Sequence, residues 1–313
     1  MANINLTSAN LESGNLQNAD LTNANLTNAN LKGANLRGAR LDGANFHKAV
    51  LSGAILDNVS AAATNFSQSN LKNSSLKDAN LQGSKFVKAT LNHSNLDAAV
   101  MQNIDFQGAN LRGVSLRNVD LNGVSIIATT MIQADLTNSY FKNAQLDDSD
   151  LRIANLTNAD FTGASMNNVN LSRATLNGTI FDDANLKASI LEGTNLTNIS
   201  ISPDTNFYKA TLEEANLSGL DLRDISFKEA ILDKANLQGS DLNGTDLRNA
   251  SLNRAKLKSA DLKDSRLQGA DLTEAEGMSM SDNLESAQWG NTKCPDGTNS
   301  DDSPYNTCEN NTI

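Results

Sequence analysis

Large apolar residues fall on every fifth position of this chain from Leu6 to Ile201, with Ala61 the exception. After one extra residue the beat resumes at Phe207 and runs to Leu272, so that 53 of 54 such positions carry Leu, Phe, Ile or Met. The residue two before each of these centres is small (Ala, Ser, Thr, Gly or Val) in most units, and the residue just before is most often Asn or Asp. The two residues after the centre are mostly polar, with Gly or Asn favoured at the second. A period of five fits neither a helix nor a long strand. It fits one short extended step with two inward side chains, then a corner whose last residue takes the positive φ that Gly and Asn tolerate. A chain that turns every five residues must coil.

The phenylalanines set the size of the coil. All nine are centres; Phe46, Phe66, Phe86 and Phe106 are spaced by 20, as are Phe141, Phe161 and Phe181, and Phe207 and Phe227 keep that spacing beyond the insertion. Twenty residues are four units, which predicts a four-sided cross-section with rings stacked along a face. Coils stacked as parallel strands lie about 4.8 Å apart, so about 13 coils predict a rod about 65 Å long. Units such as Ala24-Asn25-Leu26 and Ala159-Asp160-Phe161 resemble the A(D/N)LXX motif of the pentapeptide-repeat family over most of the chain. The resemblance implies an all-β fold, a right-handed quadrilateral parallel β-helix with four pentapeptides per coil.

On this reading residues 1–275 form the β-helix, with a one-residue insertion near 202–206 that changes a turn and not the core, and 276–313 form a C-terminal cap or tail. Leu284 and Trp289 look like two final units, and Trp289 is expected to close the apolar column. The tail sequence Cys294-Pro295-Asp296-Gly297-Thr298-Asn299 is similar to C-terminal extensions of some cyanobacterial members of the family. Two cysteines confined to a loop-rich cap, Cys294 and Cys308, suggest one disulfide and an oxidising compartment; two reduced thiols are the alternative. The absence of a signal-peptide pattern at Met1 and of a spanning apolar run points instead to a cytoplasmic chain away from the membrane. The periplasm or thylakoid lumen is the alternative if a signal has been removed. The repeat is in phase by Ile4 without a capping helix, so the first coil is either exposed or preceded by more chain. An exposed coil end is a sheet edge, which gives an expectation of end-to-end self-association through the N-terminal coil.

Few residues are free for chemistry. His47 and His93 sit at outward positions without ligand partners at metal spacing, the two cysteines form no CxxC pair, and no Gly-rich phosphate loop is present. Asp296, Asn299, Asp301 and Asp302 lack the spacing of a calcium loop and read as an acidic cap. The sequence therefore predicts no enzyme, no metal and no cofactor. Lys32, Lys72, Arg112 and Arg152 recur every 40 residues on one side, and Arg37, Lys77 and Arg117 on the next. Alternate coils are skipped, which separates like charges that would otherwise meet at strand spacing. Most outward positions are polar, yet Ile127, Ile132 and Ile153 follow centres on adjoining faces of neighbouring coils, with Asp147, Asp148 and Asp150 placed at one corner. These six residues are the candidate partner patch.

A rigid repeat with such a patch predicts a structural scaffold or protein-interaction rod that binds a protein partner. The family resemblance also implies an alternative, since some pentapeptide-repeat proteins mimic duplex DNA and modulate DNA gyrase. Duplex DNA carries one charge per about 1.7 Å, so mimicry over about 65 Å needs about 38 negative charges. The whole chain has a formal net charge of −11, and most of it lies in the last 41 residues. Direct nucleic-acid binding is expected still less, because the chain is acidic and has no outward aromatic platform.

Overall fold

The computed structural model describes residues 2–278, 284–303 and 308; the parts of the predicted tail at 279–283, 304–307 and 309–313 lie outside the described residues. The chain gathers into two compact units, Met1–Ala164 and Ser165–Ile313, so the change of pattern at 275 falls inside the second. Each unit is a quadrilateral β-helix of the pentapeptide-repeat type.

The pentapeptide 24–28 shows why five residues make one side. Ala24 and Leu26 point inward and are almost fully buried, while Asn25 between them faces out. Asn25 pairs in parallel with Asn5 on one coil and Asn45 on the next, a spacing of 20 residues and hence of four sides. Every backbone N–H of the unit has a partner. Ala24 donates to the Leu21 carbonyl (2.9 Å), Asn25 to Ile4 (2.9 Å), Leu26 to Asn45 (2.7 Å) and Asn28 to His47 (3.0 Å). The Thr27 N–H is the one without a backbone acceptor, and the Asn25 side chain supplies it at 3.1 Å. The Asn or Asp before each centre is therefore a built-in acceptor for the corner, an unpaired N–H being costly wherever water is excluded.

The corner closes when the N–H of Ala29 donates to the Leu26 carbonyl at 3.0 Å, and its second residue, Asn28, sits at φ 56°. Positive φ recurs at this position whatever the residue: Lys48 (58°), Gln133 (61°), Arg173 (57°) and Ile153 (60°) adopt it beside the expected Gly and Asn. Coil stacking imposes the conformation, and the residue type only sets its cost.

In the first unit the rings of Phe46, Phe66 and Phe86 stack with centroids 5.0 and 4.9 Å apart, Phe106 follows 5.3 Å on with its ring tilted by 34°, and Phe141 stacks on Phe161 at 4.7 Å. In the second unit Phe207 and Phe227 stack at 5.1 Å. The insertion shifts the register there from 20 to 21, since Asn185 pairs with Asn206 where Ile180 pairs with Ser200. It does more than change a turn. Ile199 and Ile201 are only half-buried, and a groove of about 370 Å³ opens between Ile201–Pro203 and the next coil at Asp221, Arg223 and Ile225. Among the described residues no bridge joins position 200 to 221, so the extra residue carries the chain off the ladder for one side. The bulge itself is well bonded: Ser202 donates to Asp183 at 2.6 Å, and Thr205 Oγ1 donates to the Phe181 carbonyl at 2.9 Å.

The tail departs from its expected form. Leu284 is buried but lies in a single 3-10 turn, Leu284–Ser286, and not in a repeat unit. The ladder continues through Gln288 on Arg266 and Lys293 on Asp271, which places Trp289 above Leu267 and Cys294 above Leu272. Thr292 and Cys294 are both fully buried and form the inward pair of that last side. No helix among the described residues is long and apolar enough to cross a membrane.

Candidate interaction surfaces

The six residues of the sequence-derived patch flank one face of the first unit. Its strands centre on Met131 and Leu151, with Thr130 and Asp150 paired in its middle. Ile127, Asp147 and Asp148 occupy the corner on one side, where the Ala128 N–H donates to the Asp147 carbonyl at 2.9 Å. Ile132 and Ile153 occupy the opposite corner, where Gln133 donates to Arg152 at 3.0 Å. The three acids therefore do not share a corner: Asp150 lies mid-face, because the residue before a centre is on the strand and not in the turn. Its charge is also neutralised, since Arg152 grips it with Nε at 2.9 Å and Nη2 at 2.7 Å. Ile127 and Ile132 are half-buried and stand on opposite edges, so the three isoleucines form no continuous apolar cluster. Ile153 is different: it is 55% exposed and left-handed at φ 60°. A β-branched residue rarely adopts that conformation.

The cation columns have a structure that the 40-residue spacing does not convey. Between Arg37, Lys77 and Arg117 stand Asp57 and Asp97 in the intervening coils, so the column alternates in sign. Asp97 is nearly buried and binds Arg117 in a fork, with Nε at 3.0 Å, and it also accepts from the Ser115 hydroxyl and the Arg117 N–H. Burial would push its carboxyl up, but the bonds from Arg117 and Ser115 outweigh this and hold it below the usual carboxylate range. Asp42 serves Ser60 Oγ (2.7 Å) and the Ala62 N–H (2.9 Å) in the same way, and Asp57 and Asp233 repeat the pattern with Ser75 and Ser251. At Ser60, Ser75, Ser115 and Ser251, where Ser stands in place of the Asn or Asp before a centre, an Asp eighteen residues earlier takes over as the corner's acceptor. The signal was present in the sequence as an Asp-to-Ser spacing of 18.

In the tail, Cys294 and Cys308 are joined in a disulfide, with Cα atoms 5.4 Å apart and both residues fully buried. Trp289 is half-buried above Leu267, and its Nε1 donates to the Leu284 carbonyl at 3.2 Å. Among the described residues at this end Leu284, Thr292, Ser300 and the cystine are almost fully buried, so Trp289 shares the closure with them. Asp296, Asn299 and Asp301 accept from the N–H groups of Thr298, Asp301 and Asn291, which makes them turn formers. Among the described residues no group of three or more His, Cys, Asp and Glu is placed to hold a metal ion.

A family model described as "Pentapeptide repeats (8 copies)" matches residues 4–43, 115–152, 154–193, 205–244 and 240–276, and one described as "Pentapeptide repeat region" matches 51–126. Among solved structures, HetL, a pentapeptide repeat protein involved in heterocyst differentiation regulation from the cyanobacterium Nostoc sp. strain PCC 7120, is 28% identical, with 91% of this chain and 90% of that chain covered and a TM-score of 0.32. QnrB1, a plasmid-mediated fluoroquinolone resistance protein, is 16% identical over 64% of this chain and 90% of that chain, with a TM-score of 0.39. A pentapeptide repeat protein from the Arabidopsis thaliana thylakoid lumen is 22% identical over 50% of this chain and 69% of that chain, with a TM-score of 0.15. No curated protein matches. On the family models, which together span most of its length, the chain belongs to the pentapeptide-repeat family.

Proposed function

We propose that this repeat scaffold acts without catalysis, as a protein-interaction module that presents outward side chains to a protein partner. The observation that carries the reading is Ile153. An exposed isoleucine in the left-handed region costs about 1–2 kcal/mol relative to a residue that tolerates it. Residues retained at such a cost cluster at functional surfaces. Ile132 on the neighbouring coil and the Arg152–Asp150 fork beside it give the site an apolar knob with a fixed polar rim. Modulation of gyrase by DNA mimicry has less support, because alternation of Arg37, Asp57, Lys77, Asp97 and Arg117 breaks up any acidic stripe along that corner.

Ile153→Asn separates the two demands on this position. It should stabilise the protein by about 1 kcal/mol, since Asn tolerates positive φ, and it should abolish capture of the partner from an extract of the source organism. A partner retained equally by both forms, or no protein captured by either, would remove the basis for this site.

A further inference from the structure

The second unit carries a face whose three zones differ in chemistry. Its strands centre on Leu191, Leu212, Leu232 and Leu252, and the outward residues in mid-face are Ile190, Thr211, Ile231 and Ser251, paired successively in parallel. Ile231 is 40% exposed, among the most exposed large apolar side chains of the unit. The corner on one edge stacks Lys187, Tyr208, Lys228 and Arg248, with Lys209 beside Tyr208. The Nζ atoms of Lys187 and Lys209 lie 5.7 and 5.2 Å from the Tyr208 ring centroid, which keeps both cations at this edge. Glu229 and Asp246 offset part of this charge through Lys209 and Arg248. The corner on the other edge stacks Glu192, Glu213 and Asp233, with Glu214 beside Glu213. Lys234 bonds Glu213 and Glu214, and Arg254 is matched by Glu274. One edge is thus net basic and the other net acidic, even with Arg173 below Glu192 in that corner, and the strip between them carries two isoleucines with Thr211 and Ser251.

We propose that this face is a homotypic docking surface, on which a second copy of the chain packs about a twofold axis parallel to the direction of coil stacking. A twofold interface sets a surface against itself. With the axis along the stack, each copy's basic edge meets the other's acidic edge, so Lys187 opposes the second copy's Glu192 and Lys228 its Asp233. Mid-face residues then meet their own equivalents, Ile190 on Ile190 and Ile231 on Ile231. With the axis turned across the face, cations would meet cations and the pairing would be repulsive. The order basic, apolar, acidic is therefore self-complementary in one orientation alone. Four coils offer less than the ~800 Å² per partner of a standard interface, so the dimer is weak and salt-sensitive.

Sedimentation of the full chain at concentrations up to about 1 mM, where associations of about −4 kcal/mol populate, reads this directly. The wild-type chain should dimerise with concentration and dissociate with added salt. Lys187→Glu with Lys228→Glu should abolish the dimer, as should Glu192→Lys with Glu213→Lys. An equimolar mixture of the two double variants should form a heterodimer, because one half of its interface keeps the wild-type pairs and in the other half the Lys187→Glu side chain meets the Glu192→Lys one, whereas each variant alone sets like charges together at position 187 against 192 in both halves. All four positions are outward corners, and unchanged melting curves check that the variants are folded. A wild-type chain monomeric throughout, a dimer indifferent to both reversals, or folded variants that fail to pair when mixed would each overturn the proposal.

Discussion

Where it is Asn or Asp, the side chain just before a centre does two jobs: it faces solvent and it serves as acceptor for the one corner N–H that no carbonyl reaches. The motif's Asn and Asp follow from that vacancy, as Thr27 on Asn25 shows. Serine at that position cannot fill it alone, which is why Asp42 reaches across to Ser60 and Ala62. Asp42→Ala should therefore cost about 1–2 kcal/mol by stranding two donors. Adding Ser60→Asn should recover about half of it by restoring a local acceptor. Denaturant melts of the single and double variants test this, and additive losses would show that the two residues are not exchanging one task. Asp97 gives the corresponding pH dependence. Its folded pKa lies below the unfolded value of about 3.9, so its contribution is complete above that value and is lost as pH falls through the lowered folded value. The melting temperature should fall in this acid range, and Asp97→Asn should be less stable at neutral pH with a shallower acid decline.

At the scale of the pentapeptide, inward and outward positions tolerate the same substitution differently. Leu116 is 1% exposed between coils, whereas Asn118 is two residues on at an exposed corner with φ 56°. Leu116→Asp would bury an unpaired carboxylate at a cost of several kcal/mol, while Asn118→Asp keeps its charge in water. Thermal melts of the two variants should separate widely, and equal melting temperatures would refute the register. That register was legible in the sequence because one centre in five is enough to fix which side chains stack, as the phenylalanine spacing of 20 made plain. The edges were not. Ile201 keeps the beat in sequence yet is half-buried, because the insertion takes its strand off the ladder. Asp150 was misplaced for a related reason: a residue one before a centre faces outward like a corner residue but belongs to the strand. Cys294 escaped the pattern because its unit, Thr292-Lys293-Cys294, has a centre that is neither large nor aliphatic.

For the molecule as a whole, the charge and the disulfide both concentrate at the C-terminal end. The tail extends the second unit's ladder: Leu267, Gly269, Leu272 and Glu274 donate backbone N–H groups to Gln288, Gly290, Lys293 and Pro295 at 2.8–2.9 Å. Thr292 Oγ1 adds a bond to the Leu267 carbonyl at 2.7 Å. The cystine then ties Cys294, on the last side, to Cys308. Closing a loop of this size stabilises by about 3 kcal/mol in the chain-entropy account. Reduction should therefore loosen the tail while the coils below it keep their own ladders, which proteolysis of the reduced protein and an unchanged far-ultraviolet spectrum would register together. Deleting 277–313 goes further, because it strips the four acceptors from Leu267, Gly269, Leu272 and Glu274 and uncovers the apolar side chains of that end. A sheet edge left with unpaired donors over exposed leucines adds another chain, and solenoids need a polar cap for this reason. The truncated protein should self-associate, and high salt should not reverse it, since apolar burial and backbone pairing drive it and not opposed charges. Light scattering decides the point: a truncated protein no larger in solution than the full-length assembly would leave the tail without a capping role.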